Sequence, residues 1–172
     1  MGVSSHSEAK TLYLFSTMQA TKPQLDNEEA HSLLRDYFHA AGIPFVVVEG
    51  RYKGRLELSF LMNAAHVPED AIMLYAKHGN QETYMIIEQW RHGTMKATLV
   101  DVASGKKTFI GYFRSFSKDV VEKLNLDYTY RPDVDKYWAV WPTDTTLIDK
   151  FEDEIAYALE HGIDALAAMK AA

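Results

Sequence analysis

The sequence predicts an α+β domain built on an antiparallel sheet in βαββαβ order, with both helices on one face, an added hairpin and a C-terminal helix. Three observations predict it. Between Thr11 and Glu88 the apolar residues switch from two-residue to helical spacing and back, as alternating strands and helices require. The run Ile43 to Phe60 (IPFVVVEGRYKGRLELSF) breaks at Gly50 and Gly54 into an unbroken apolar stretch and an alternating one, two strands around a bend. The chain of 172 residues contains no cysteine, so its core must hold without crosslinks, which this length allows.

Taken in order, Met1 to Lys10 is a loose tail and 11–172 a single domain, with a core over 11–116 and an extension over 117–172. Thr11 to Met18 is a strand with Tyr13 and Phe15 on one face and Leu12 and Leu14 on the other, hence central. Ser16, Thr17 and Gln19 stand at its exit, either holding a ligand or capping the strand end. Asn27 to Ala41 is a helix capped by Asp26 or Asn27, with Glu28 and Glu29 in its first turn. Ala30, Leu33, Leu34, Tyr37, Phe38 and Ala41 form its buried stripe, and Gly42 ends it. His31 and His39 fall off that stripe and read as surface residues. Ile43 to Gly50 is a buried strand. Leu56 to Met62 alternates, with Glu57 and Ser59 on its polar face.

Pro68 opens a second helix that runs to His78, and Glu82 to Glu88 is a fourth strand. The order is now that of a ferredoxin-like sheet. Thr94 to Val100 and Lys107 to Phe113 form the added hairpin, turning at Ala103-Ser104-Gly105. Ser117 caps a short helix over Lys118 to Leu124. Leu126 to Trp141 is aromatic and irregular, with Pro132 and Pro142 as breakers, and reads as a plug on the open sheet face, a subunit contact or a lid. Thr145 or Thr146 opens a last helix to about Glu160, its Glu152, Asp153 and Glu154 facing solvent, and a shorter one follows Gly162.

The formal charge of −6 at pH 7 argues against a protein that coats nucleic acid. No stretch approaches the roughly 20 apolar residues of a membrane span, and the expected setting is cytoplasmic. No HExxH, glycine fingerprint or GxSxG elbow is present, so neither a metal nor a cofactor is expected. Chemistry falls to polar strand faces: Tyr52, Glu57 and Ser59 together, and Glu88 at the end of the fourth strand. A lone strand glutamate is more often solvated or ion-paired than catalytic.

Gly50, Tyr52, Lys53, Gly54, Glu57, Ser59 and Phe60 read G-x-Y-K-G-x-x-E-x-S-F. This resembles the bacteriophage enzymes that cleave S-adenosylmethionine, long called hydrolases and now regarded as lyases. The strand Leu12 to Ser16, the GNQET segment Gly79 to Thr83 and Ile110-Gly111-Tyr112-Phe113 are similar too, so the likeness covers Thr11 to Ser115, with no counterpart from Phe116 onward. The resemblance implies a small cytoplasmic enzyme with a trimeric fold like that of the PII signalling proteins. Its substrate is S-adenosylmethionine, its products 5'-methylthioadenosine and homoserine lactone, and its role opposition to host methylation and restriction. In that frame Glu57 holds the substrate ammonium, Tyr52 lies near the sulfonium or adenosine, and Ser16 and Thr17 bind the carboxylate or ribose. Ser59 lies beside them, Glu88 is a second acidic candidate, and Phe15, Phe60 and Phe113 are candidate adenine slots, in a site completed between subunits. Two other classes remain: a PII-like sensor that binds a nucleotide without turnover, and a phage protein that blocks a host enzyme by surface contact. Product formation separates them.

Overall fold

The computed structural model describes residues 10–19, 22–52, 54–91, 93–145 and 148–171, without the side chains of 148 and 171. Residues 1–9 of the expected tail, Lys53 of the motif and Thr146 as a helix cap lie outside the described residues. The elements are β1 (Thr11–Phe15), α1 (Gln24–Ala41), β2 (Val46–Tyr52), β3 (Arg55–Asn63), α2 (Glu69–His78), β4 (Thr83–Gln89), β5 (Met95–Asp101), β6 (Lys107–Phe116), α3 (Lys118–Lys123), β7 (Tyr128–Arg131), β8 (Lys136–Trp141), α4 (Ile148–His161) and α5 (Ile163–Ala171). The strands close into an antiparallel barrel in the order β1-β3-β2-β7-β8-β6-β5-β4 and back to β1.

The expected open sheet, ferredoxin-like and PII-like, is therefore not the fold. Its strands and both helices form, but β2 and β4 are not left as free edges. β4 continues into β5 and β6, β2 pairs with β7, and β8 joins β6 to β7. The overturning segment is 126–141, expected to be irregular and found as two strands. Pro132 sits in the turn between them and Pro142 just beyond, so neither interrupts a ladder. Asp135 takes the left-handed conformation (φ 52°) that this turn needs. Aromatics line both faces of β8, Trp138 inside and Tyr137 and Trp141 outside, which erases the polar alternation that marks a half-exposed strand; β7 alternates but is only four residues long.

Side chains alternate between the lumen and the outside. Inside, Leu14, Val48, Leu61, Ile87, Ala97 and Phe113 pack together, with Trp138 and Val140 against them. Outside, Phe15, Phe60, Met62 and Tyr84 meet Phe38 of α1 and Ile72 and Ala76 of α2. On another flank Phe116, Ala139 and Trp141 meet Val121 of α3, Ala158 of α4 and Leu166 of α5.

The buried face of α1 is Asn27, His31 and Phe38, with Leu34 half-buried, so only part of the expected apolar stripe turns inward. Leu33 and Tyr37 are 65% and 51% exposed. Asn27 is buried because its amide serves the backbone of Gln19 twice, accepting from the N–H at 2.8 Å and donating to the carbonyl at 2.9 Å. Pro23, rather than Asp26 or Asn27, precedes the first turn, and Gly42 closes the helix in the left-handed conformation. His31, expected at the surface, is stacked on Phe60 with ring centroids 4.4 Å apart, and burial followed by the charge of Arg35 lowers its pKa to about 4.

Glu154, expected to face solvent, is buried. Its Oε2 accepts from Trp141 Nε1 and Thr145 Oγ1, each at 2.8 Å, and from Thr143 Oγ1, while Oε1 lies 3.2 Å from Lys170 Nζ. Burial would raise its pKa, but these donors hold the carboxyl below the usual range. The carboxylate thereby pins α4 and α5 to the end of β8. Among the described residues no helix is long and apolar enough to cross a membrane.

Candidate active site at one mouth of the barrel

β1 and β2 end, and β3 and β7 begin, at the same mouth of the barrel. Register then aligns three residues. Gly50 of β2 stands opposite Glu57 of β3 on one side and Thr129 of β7 on the other. All three face the lumen, since Val48 and Leu61, two and four residues along, pack inside. Tyr52 shares that face. Its ring folds back over Gly50, where a Cβ would lie 2.3 Å from the ring edge, so only glycine leaves the space. The Tyr52 hydroxyl ends 2.8 Å from Thr129 Oγ1. One row across three strands thus holds a carboxylate, a phenol and a hydroxyl.

Electrostatics follow from shelter. Burial raises the Glu57 carboxyl above the ordinary glutamate range, against the pull of Arg55. Burial pushes the Tyr52 phenol up to about 12; the Thr129 bond opposes this, and the charges of Glu57 and Asp127 add to it. Tyr52 is therefore protonated throughout the neutral range. Ser59, next along the face of Glu57, is 2% exposed and opposite Val48.

The exit of β1 forms the rim. Ser16 Oγ donates to Leu58 O and accepts from Met18 N, both at 2.9 Å, which ties this hydroxyl to the backbone. Thr17 is buried beside it with its hydroxyl unpaired among the described atoms. Arg55 donates to Gln19 O at 2.9 Å, and Gln81 to Met18 O at 2.9 Å. These bonds hold the segment 16–19 rigidly beside Glu57.

The other expected residues stand elsewhere. Phe15 and Phe60 point outward and are enclosed in the aromatic core under α1, with centroids 5.6 Å apart. Phe113 faces the lumen but in its opposite half, stacked on Trp138 at 5.6 Å. Glu88 is exposed on the outer face of β4, in register with Thr11 and Lys96 at the far mouth. The structure thus joins Tyr52, Glu57 and Ser59, with Ser16 and Thr17 nearby, and leaves Glu88, Phe15, Phe60 and Phe113 apart. Sequence reasoning missed Thr129. Its only signal was a small polar residue between two tyrosines in Tyr128-Thr129-Tyr130, the alternation of an unrecognised strand. Beneath Thr129 a cavity of about 30 Å³, lined by Leu14, Leu61, Ile87, Phe113 and Trp138, has room for a water or two.

Fold and site together define a small β-barrel enzyme that presents a sheltered carboxylate beside a neutral phenol. The chain belongs to the S-adenosylmethionine lyase family, whose model matches residues 13–141, or 129 of the 172 residues. Its activity is accordingly of the lyase type. No individual curated protein matches the chain. The match runs past Ser115, where the resemblance had been expected to stop, to the last residue of β8. β7 and Thr129 therefore lie within the family's stretch, and α4 and α5 beyond it.

Proposed function

We propose that the chain cleaves S-adenosylmethionine to 5'-methylthioadenosine and L-homoserine lactone, and that in a phage-infected cell this withdraws the methyl donor from host methylation and restriction. The substrate's own carboxylate oxygen attacks its Cγ. The Cγ–S bond breaks, its electron pair passes to sulfur, and the sulfonium leaves as a neutral thioether. No proton moves and no water enters. The protein must fold the methionine arm so that oxygen, carbon and sulfur are in line.

The observation that carries this reading is the row Glu57–Gly50–Thr129 with Tyr52 laid across it. Glu57 pairs with the substrate ammonium and anchors the arm. The burial that raises its pKa also strengthens that pairing. Tyr52 offers a ring face or phenolic oxygen to the sulfonium while remaining neutral. Neutrality suits the step: the positive sulfur and negative carboxylate cancel as the bond forms, so a fixed negative charge beside sulfur would favour the ground state over the transition state.

Assembly as a homotrimer, with the site completed between subunits, belongs to the same proposal. It is supported by the enclosure of Phe15 and Phe60, which leaves the mouth without an open slot for adenine from those rings. Incubation of the pure protein with S-adenosylmethionine should give methylthioadenosine and homoserine lactone in equal amounts by chromatography. Binding without either product would sink the proposal. Light scattering at micromolar concentration should report three chains, and a monomer would remove the shared site.

A further inference from the structure

We infer that Thr129 is a positioning residue for the proposed cleavage: its hydroxyl holds the Tyr52 phenol flat over Gly50 beside Glu57, and so sets where the ring meets the substrate. This rests on the site proposed above. Three features of the structure converge on it. The two hydroxyls lie 2.8 Å apart although their residues are 77 positions apart in sequence. Gly50, between Glu57 and Thr129 in register, leaves open the space that the ring crosses. Thr129 is 3% exposed and sits on a strand paired on both sides, so its hydroxyl is a fixed point.

Tyr52 is the last residue of β2, next to the bend. A side chain at a strand end has staggered alternatives, including those that swing it out of the mouth. The ring itself gives no reason to prefer the inward one over a flat glycine, whereas a buried hydroxyl that needs a partner does. Packing alone does not ask for threonine here. Valine has the same shape and the same strand preference, so what threonine adds is the hydroxyl, whose partner among the described residues is Tyr52. The bond also fixes rotation of the phenol O–H, whichever oxygen donates, and hence which side of that oxygen faces the substrate.

The test compares Thr129→Val, Thr129→Ser, Tyr52→Phe and the double variant Tyr52→Phe/Thr129→Val in steady-state cleavage of S-adenosylmethionine, with melting temperatures for each. Loss of one neutral hydrogen bond that acts on orientation predicts a fall in kcat of about tenfold for Thr129→Val, with KM changed less than threefold. Thr129→Ser should stay within about twofold of the parent, because it keeps the hydroxyl. The double variant should be no slower than Tyr52→Phe alone, since the threonine acts through the phenol. If Thr129→Val does not fold, Thr129→Ala carries the same comparison. Parent-like kcat in the valine variant, equal losses in the valine and serine variants, or additive losses in the double variant would each overturn the inference while the parent still cleaves. A parent that does not cleave overturns the proposed function, and the role of Thr129 with it.

Discussion

Above and below the Gly50 row, the same strands build two different interiors. Below, Leu14, Leu61, Ile87, Ala97 and Phe113 fill the lumen with apolar volume. At the row and toward the mouth the inward positions are Glu57, Thr129 and Tyr52, with Ser59 one step deeper beside Val48. An eight-stranded barrel is just wide enough for side chains to fill it. Each polar residue at the mouth therefore displaces an apolar one that would have packed, and a carboxyl with a raised pKa costs stability outright. The lower half holds the barrel shut, and the upper half gives up packing to keep polar groups at the mouth. Variants in the two halves should separate cleanly.

The largest effect belongs to the lower half. Ile87 is 1% exposed, and Ile87→Ala should cost about 2–5 kcal/mol, read as a lowered urea midpoint. A smaller loss would mean that the lumen collapses around the gap. Glu57→Gln comes next and should show the opposite signature. Turnover should fall by up to the order of 100-fold, from a charge-assisted contact worth ~1.5–3 kcal/mol. Its melting temperature should rise at neutral pH. The sign follows from burial: a carboxyl whose pKa is raised by folding binds its proton more readily folded than unfolded, so its charge costs stability above that pKa and nothing in acid. The gain should therefore vanish on acidification, and parent turnover should decline as pH falls through the same raised pKa. A variant both active and unchanged in melting would return Glu57 to an ordinary solvated residue.

Gly50→Ala tests the boundary between the halves. The three atoms nearest the new Cβ all belong to the Tyr52 ring, the closest at 2.3 Å, and a ring at a strand end can swing away. Stability should fall by about 1 kcal/mol, at the low end for overpacking, while turnover drops toward that of Tyr52→Phe. Full activity would show that the ring does not need its place over the glycine. The smallest effect lies outside the lumen. With a folded pKa of about 4, His31 stays neutral while the unfolded chain takes up a proton, so the parent loses stability as pH falls from the ordinary histidine value of 6.5 toward about 4. His31→Phe keeps the stack on Phe60 and should flatten that part of the melting profile; an unchanged slope would place the acid sensitivity elsewhere.

Much of the N-terminal half was legible in the sequence because its pattern is local. The alternation over Leu56 to Phe60 turned Glu57 and Ser59 to one face, and Gly42 marked the end of α1. The other face was misread for a physical reason. Phe15 and Phe60 looked available as slots because sequence does not say which face a helix covers, and α1 covers theirs. α1 itself buries Asn27 and His31 while exposing Leu33 and Tyr37, since an amide that satisfies a loop and an imidazole that stacks can both lie inside. Closure was invisible because β7 is only four residues long, β8 carries aromatics on both faces, and a proline lies between them. With them went Thr129, a partner that no short motif includes.

Closure through β7 also bears on how the chain comes to fold. The β2–β7 ladder joins residues 49–51 to 128–130, a distant pairing that slows folding and must await synthesis of the later segment. Until then a nascent chain carries β1 to β6 with unpaired backbone along β2 and β6, the kind of edge that invites aggregation or capture by chaperones. It also carries every residue of the Gly50 to Phe60 motif, yet Tyr52 has nothing to bond. A ribosome-bound chain stopped before Tyr128 should therefore be sticky and inert, and the step that pairs its open edges would be the step that arms it.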